Sequence, residues 1–276
     1  MHLGICADIT EQAIPVTELA RAIEEAGLES LFLTQHTHVP TGRPDVLRMP
    51  THDNDPYLFD PFVTLAAAAA ATTRLRLGTA VCLAAQYDAI ILAKQVASLD
   101  RLSSGRFLFG VGPGWLEEEM ANHGVVPATR WRRLSETVLA AKAIWTQEEA
   151  EFHGRFVDFD PIWCGPKPVQ RPHPPVLVAG RAPQVFKRVV EYGDGWMPIV
   201  GAGFDLEGQM ADLAGQCAMA GRPAASVSAL MWEIDETLVE RCARVGVERC
   251  AVYLRPNQAD EVSHLLSRWA ALASRI

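Results

Sequence analysis

Two histidines two residues apart, His36 and His38, stand in Gln35-His36-Thr37-His38, just after the apolar run 30–34. An imidazole at the end of a strand can donate a hydrogen bond or move a proton near neutral pH. The plainer alternative is a loop histidine satisfied by water. A sharper rival is a shared metal, because residues two apart on an extended segment point the same way. That rival needs more ligands at later strand ends. Those ends read Ala179-Gly180, Pro198-Ile199 and Arg255, with no carboxylate or histidine. The expectation is therefore a histidine site without metal.

Three glycine-bearing segments come next. Gly78-Thr79-Ala80-Val81-Cys82 carries small residues that let a planar ligand approach the backbone, or that mark a kink or a small-residue layer. Gly110-Val111-Gly112-Pro113-Gly114-Trp115 spaces its glycines so that main-chain amides can face a ligand. No Lys-Ser/Thr follows, so it is not a Walker loop. Val178-Ala179-Gly180-Arg181 feeds a helix starting near Pro183. Free amides and a positive helix end suit a phosphate there, with Arg181 as a charged contact. An ordinary strand-to-helix turn with a surface arginine fits equally. Gly193-Asp194-Gly195-Trp196 lies at a strand's amino end and reads as structural. Asp8 and Glu117–Glu119 are carboxylates on separate strand ends, a pattern open to glycoside hydrolysis. The triple glutamate reads more simply as the start of a solvated helix. No GxSxG elbow is present.

Short β-rich runs at 2–7, 30–34, 75–82, 106–111, 175–179, 195–199, 226–232 and 249–254 would position these residues. Several are continuously apolar, as parallel strands covered on both faces are. Helical patterns alternate with them at 15–27, 60–71, 88–102, 129–147, 182–192, 205–220, 236–245 and 258–274. Eight strands and eight helices in alternation predict an α/β fold, a closed (β/α)8 TIM barrel over one domain, residues 1–276. An open doubly wound sheet is the alternative, but Cys6-Ala7-Asp8 stands where GxGxxG would follow the first strand. The segments 36–57 and 112–128 follow strands two and four, on the catalytic side of such a barrel. An insertion at about 148–174 contains FHGRFVDF, a predicted hairpin, and a proline-rich connector.

Composition narrows the function classes. The 276 residues are 49% hydrophobic and 21% charged, with net charge −8 and no basic stripe, which argues against nucleic acid. The longest apolar run, 65–71, falls far short of the roughly 20 residues of a membrane span. No basic segment precedes an apolar leader, so the expected location is cytoplasmic. The six cysteines form no CxxC pair and read as buried small apolar residues.

Together, SLDRLSSGRFLFGVGPGW (98–115), RLRLGTAVC (74–82), KPVQRPHPPVLVAG (167–180) and YGDGWMP (192–198) resemble the luciferase-like monooxygenase superfamily. LTQHTHVP (33–40) and FHGRFVDFDPIW (152–163) are similar to its deazaflavin-dependent branch. The likeness spans residues 1 to about 200, with a weaker tail. It implies a luciferase-like barrel holding coenzyme F420, or alternatively FMN, at its C-terminal mouth. It implies a non-proline cis peptide at Ala80-Val81 behind the ring and His36 near the reactive ring carbon. Gly112, Gly114, Gly180 and Arg181 would hold the ribityl and phosphate tail, and Trp115 would form an apolar wall. It further implies a loop after strand two that closes the site, a small-molecule substrate and a homodimer. Two departures stand out. Trp115 occupies the place of the carboxylate that sugar-phosphate dehydrogenases of the family carry, and Gln35 rather than an acid precedes His36. Both count against a sugar-phosphate substrate. The expectation is an F420-dependent oxidoreductase moving hydride to or from a small organic substrate. Its rivals are an FMN-dependent monooxygenase fed by a partner reductase, a metal hydrolase and an inactive cofactor-binding protein.

Overall fold

The computed structural model describes residues 1–43, 58–181 and 183–276. Residues 44–57 of the long segment after strand two, and position 182 at the expected start of a helix, lie outside the described residues. Strand β1 (His2–Ala7) is buried from Leu3 onward, as its unbroken apolar run requires. With β2 (Ser30–Leu33), β3 (Arg76–Thr79) and β4 (Phe107–Val111) it forms half of a parallel barrel. An antiparallel hairpin, β5 (Glu149–His153) and β6 (Asp158–Trp163), follows, matching the predicted insertion. The barrel resumes at β7 (Val176–Ala179) and continues through β8 (Gly195–Met197), β9 (Ser226–Met231) and β10 (Arg249–Leu254). The strands close in the order β1-β10-β9-β8-β7-β4-β3-β2.

Alternation along each strand separates two cores. Ile5, Ala7, Leu31 and Leu33 face the helices, while Cys6, Phe32, Leu108, Leu177, Met197 and Ala251 fill the barrel. Ala80, Val81, Ala179, Leu230 and Tyr253 pack on this inner cluster.

The helices begin where the sequence signals them. Helix α1 (Val16–Glu25) follows Pro15. Asp60 caps α2 (Pro61–Ala71) by accepting the Val63 amide at 2.9 Å, and Asp88 caps α3 (Ala89–Leu102) through Ile91 at 2.9 Å. Each such cap contributes about 1 kcal/mol. The short α4 (Glu117–Asn122) was not expected as a helix of the barrel's count. It precedes α5 (Arg130–Thr146), α6 (Gln184–Tyr192), α7 (Leu206–Met219), α8 (Glu236–Arg244) and α9 (Ala259–Ala273). All six cysteines are free and buried. Among the described residues, no helix is long and apolar enough to cross a membrane.

Candidate active site at the barrel mouth

The run 75–82, expected as one strand, is broken. β3 ends at Thr79, the Ala80-Val81 peptide is cis, and parallel bridging resumes at Cys82 opposite Val111. Backbone bonds stitch the break on both sides. Ala80 N donates to Leu33 O at 2.7 Å, Cys82 N to Gly110 O at 2.9 Å and Gly112 N to Cys82 O at 3.0 Å. Gly110 in β4 and Gly112 just after it are therefore clearance. A β-carbon on Gly112 would lie 2.6 Å from Val81 Cγ2. This corrects one expectation: the Gly112 amide is committed to Cys82 and does not face a ligand. Gly114, at φ +81°, adopts the left-handed turn that suits glycine.

Gln35 is scaffold. Its buried amide accepts from Leu83 N at 2.8 Å and donates to the Tyr87 hydroxyl. It thereby anchors the segment that leaves the break, a task needing one donor and one acceptor on the same side chain. Burial pushes the Tyr87 phenol up, so it stays a neutral partner.

His36 does not rest on water. Its Nδ1 lies 2.8 Å from Glu119 Oε2, while Glu119 Oε1 accepts from the Thr37 amide at 2.7 Å and the Thr37 hydroxyl at 3.0 Å. Trp115 meets the imidazole edge to face, with centroids 5.7 Å apart. The triple glutamate is thus not a uniformly solvated start of a helix. Glu117 and Glu118 are exposed, but Glu119 is fully buried beside Met120. Burial works to raise its pKa. The His36 hydrogen bond and charge, then the Thr37 donors, outweigh it and hold the carboxyl below the usual carboxylate range. Position 115 carries no carboxylate, yet the imidazole has one, four residues further on. The sequence signal was faint: Leu116 and Met120 mark the buried face of α4, and Glu119 lies next to it.

His38 diverges from His36. Its Nδ1 lies 2.9 Å from Thr37 Oγ and its Nε2 2.8 Å from Asn122 Nδ2. Among the described residues no group of three metal-type side chains converges.

Asp8 is buried at the end of β1, and its two oxygens accept from the Thr34 and Tyr253 hydroxyls. Burial and then the Asp8 charge push the Tyr253 phenol up. The oxygens of both Asp8 and Glu119 are thus engaged with groups of the protein itself. Asp8, His36, Ala80, Val81 and Trp115 line a cavity of about 150 Å³. A more enclosed one of about 80 Å³ shares Ala80 and Thr34 and is walled by Trp232 and Tyr253.

At the end of β7, the Gly180 carbonyl accepts from Trp196 Nε1 at 2.9 Å. A β-carbon on Gly180 would come within 3.2 Å of Trp131. Arg181 is exposed, with no side-chain partner among the described residues. The structure thus brings His36, Ala80, Val81 and Trp115 to one cavity. Gly112 lies behind Val81, and Gly180 and Arg181 belong to the β7 rim of the same mouth.

The family model described as luciferase-like monooxygenase matches residues 6–238. An uncharacterised protein of Mycobacterium tuberculosis is 38% identical over 98% of both chains. The F420-dependent glucose-6-phosphate dehydrogenase of Kineococcus radiotolerans is 31% identical over 75% of this chain and 58% of its own. The FMNH(2)-dependent dimethylsulfone monooxygenase of Pseudomonas putida is 37% identical over 40% of this chain and 31% of its own. Among solved structures, an F420-dependent secondary alcohol dehydrogenase in complex with an F420-acetone adduct aligns with TM-score 0.80 at 18% identity, covering 98% of this chain and 97% of that one. That last likeness is one of fold.

Proposed function

Because the chain belongs to the luciferase-like monooxygenase family, we propose that it is an F420-dependent oxidoreductase, a single domain over residues 1–276 that transfers hydride between bound deazaflavin and a small organic substrate. The observation that carries this reading is that Ala80 and Val81, between the end of β3 and the bridge at Cys82, line the same cavity as His36 and Trp115. Half-buried Ala80 and Val81, with Leu83 beside them, line this cavity with apolar side chains on which a tricyclic ring would rest. When bound, the cofactor supplies the hydride chemistry, and the protein supplies orientation and exclusion of water. His36 exchanges a proton with the substrate oxygen. Trp115 shields that exchange from solvent. Arg181 and the amides near Gly114 and Gly180 hold the phosphate end by charge-assisted contacts. Gly112 contributes by leaving room for Val81.

The dehydrogenase relative supports F420, and the monooxygenase relative supports FMN as the alternative, with a partner reductase supplying reduced flavin. The same proposal includes a cytoplasmic enzyme and a homodimer. The uncharged α2, with Val63 exposed, and neighbouring Ile91 and Leu102 on α3 mark an apolar face where a second copy would sit. Titrating the apoprotein with oxidised F420 and with FMN tests the cofactor. Tighter F420 binding supports the proposal; binding of FMN alone replaces it with the monooxygenase.

A further inference from the structure

Asp8, only 7% exposed, puts a carboxylate into the wall of the cavity that also holds His36. Among the described residues no lysine, arginine or histidine pairs with it. Its direct partners are two hydroxyls, Thr34 on Oδ1 and Tyr253 on Oδ2. A hydroxyl has one proton, and an ionised carboxylate only accepts. Both hydroxyl protons are therefore turned toward Asp8 and away from a ligand. Thr34, which lines both cavities, offers them only lone pairs. Asp8 keeps about two of its four lone-pair sites open. The amide of neighbouring Gln35 is already committed to Tyr87. The wall around Asp8 accepts hydrogen bonds and does not donate them.

Further observations give that wall a sign. Among the described residues that line the two cavities, none is a lysine or an arginine. Arg255 stands 6.0 Å from the centroid of the Tyr253 ring and bonds to its hydroxyl, but it lines neither cavity. The Asp8 charge also reaches the Cys6 thiol of the smaller cavity. Burial and then Asp8 push that thiol up, so it stays neutral. Trp232 and Tyr253 wall the same cavity edge to face, with centroids 5.2 Å apart. Aromatic faces attract cations, as a carboxylate does.

We propose that Asp8 is a specificity-determining residue of this site and that the small organic substrate carries an ammonium group, held against the Asp8 carboxylate. This rests on the hydride-transfer reading above and names the substrate class for it. An ammonium answers each feature of the wall. Its N–H groups donate to the open lone pairs of Asp8 and Thr34. Its charge offsets a carboxylate that is costly to bury without a cation. A carboxylate or phosphate on the substrate meets the reverse: a like charge and no donor. The departures at Gln35 and Trp115 count against a sugar phosphate, and Asp8 adds an electrostatic reason. An alcohol with no second polar group leaves Asp8 without a ligand donor.

The test uses three probes built on one three-carbon skeleton: 1-aminopropan-2-ol, propan-2-ol and lactate. Their binding to the protein, with and without oxidised F420, is measured by saturation-transfer NMR at pH 7, where the amine is protonated and lactate ionised. Wild type is expected to hold the amine about tenfold more tightly than lactate, the scale of one charge-assisted hydrogen bond. Asp8→Asn keeps the shape of the wall, removes its charge and adds a donor. It should bring amine and lactate to near parity, leave propan-2-ol as it was, and keep F420 affinity by fluorescence titration. Tyr253→Phe serves as a second variant. It frees Oδ2 of a competing donor and should sharpen the preference for the amine. Three results overturn the proposal: lactate bound as tightly as the amine by wild type, a preference that Asp8→Asn leaves unchanged, or loss of F420 binding in Asp8→Asn, which would assign the carboxylate to the cofactor. The wild-type comparison needs no variant to fold. Should the Asp8-dependent preference be found while neither F420 nor FMN binds, the recognition of the amine stands and the proposed function falls.

Discussion

Gly110 faces Thr79 so closely that a β-carbon at Gly110 would lie 1.9 Å from the Thr79 carbonyl oxygen. The Thr79 hydroxyl returns the contact by donating to Gly110 O at 2.7 Å. The obstructing atom is backbone, so no rotamer change relieves the clash. Gly110→Ala is therefore expected to destabilise the protein by about 3 kcal/mol, at the upper part of the overpacking range. Urea unfolding followed by circular dichroism measures this. A loss below about 0.5 kcal/mol, the scale of ordinary surface substitutions, would show that β3 shifts freely and that the glycine is dispensable.

Gln35 provides a second check, because an acid at this place was the feature whose absence the sequence made conspicuous. Gln35→Glu removes the donor to Tyr87 and places a carboxylate in a buried site. The new group's pKa rises above its unfolded value of about 4.3 when buried. A raised value means the penalty is absent below about pH 4 and grows as pH climbs toward the folded value. The variant should match wild type most closely near pH 4 and fall behind by about 2 kcal/mol at pH 8, the cost of an unsatisfied buried polar group. Thermal midpoints across that range decide it. A gap that stays constant with pH would mean the carboxylate finds a partner.

Much of this architecture was legible because its causes are local. Asp100, in the Ser98-to-Trp115 motif, accepts the Val169 and Gln170 amides at 2.6 and 2.9 Å, which ties the proline-rich connector to α3. Arg106 donates to Ala69 O, Leu75 O and Ser103 O, pinning α2 and the approaches to β3 and β4 together. These motif residues are frame, and frame repeats in recognisable strings. Glu119 was not legible for the opposite reason. Choosing among three successive glutamates requires knowing which side of a six-residue helix lies over His36, a partner 83 positions away. Gly112 was misjudged similarly: its amide is claimed by Cys82 only because the chain breaks at Ala80-Val81.

Glu24 closes the amino-terminal side of the barrel and makes a pH-dependent prediction. Its carboxylate accepts from the amides of Thr73, Arg74 and Leu75, the last two at 2.7 Å. Partial burial opposes ionisation, but these donors and the Thr73 hydroxyl prevail and lower its pKa to about 2. For a group with a lowered value, the stabilisation is present above its unfolded value and is lost as pH falls through the folded one. Glu24→Gln should therefore melt lower than wild type at pH 7, and the gap should narrow between about pH 4.5 and about 2. Calorimetry at several pH values measures the difference. A gap that widens on acidification would contradict the bonding pattern.

Arg181 tests where the anionic end of the proposed cofactor would lie. It stands on the β7 rim, two residues beyond Ala179, with no described side-chain partner, and the preceding Gly180 backbone is held by Trp196. An exposed guanidinium that meets a phosphate adds a charge-assisted bond, which salt screens. Arg181→Ala is expected to weaken F420 binding about tenfold, roughly 1.4 kcal/mol, at low ionic strength. The loss at low ionic strength should shrink in high salt. Fluorescence titration at two salt concentrations reads both effects. Equal affinity of variant and wild type at low salt would move the phosphate away from this rim and toward the amides that follow β4.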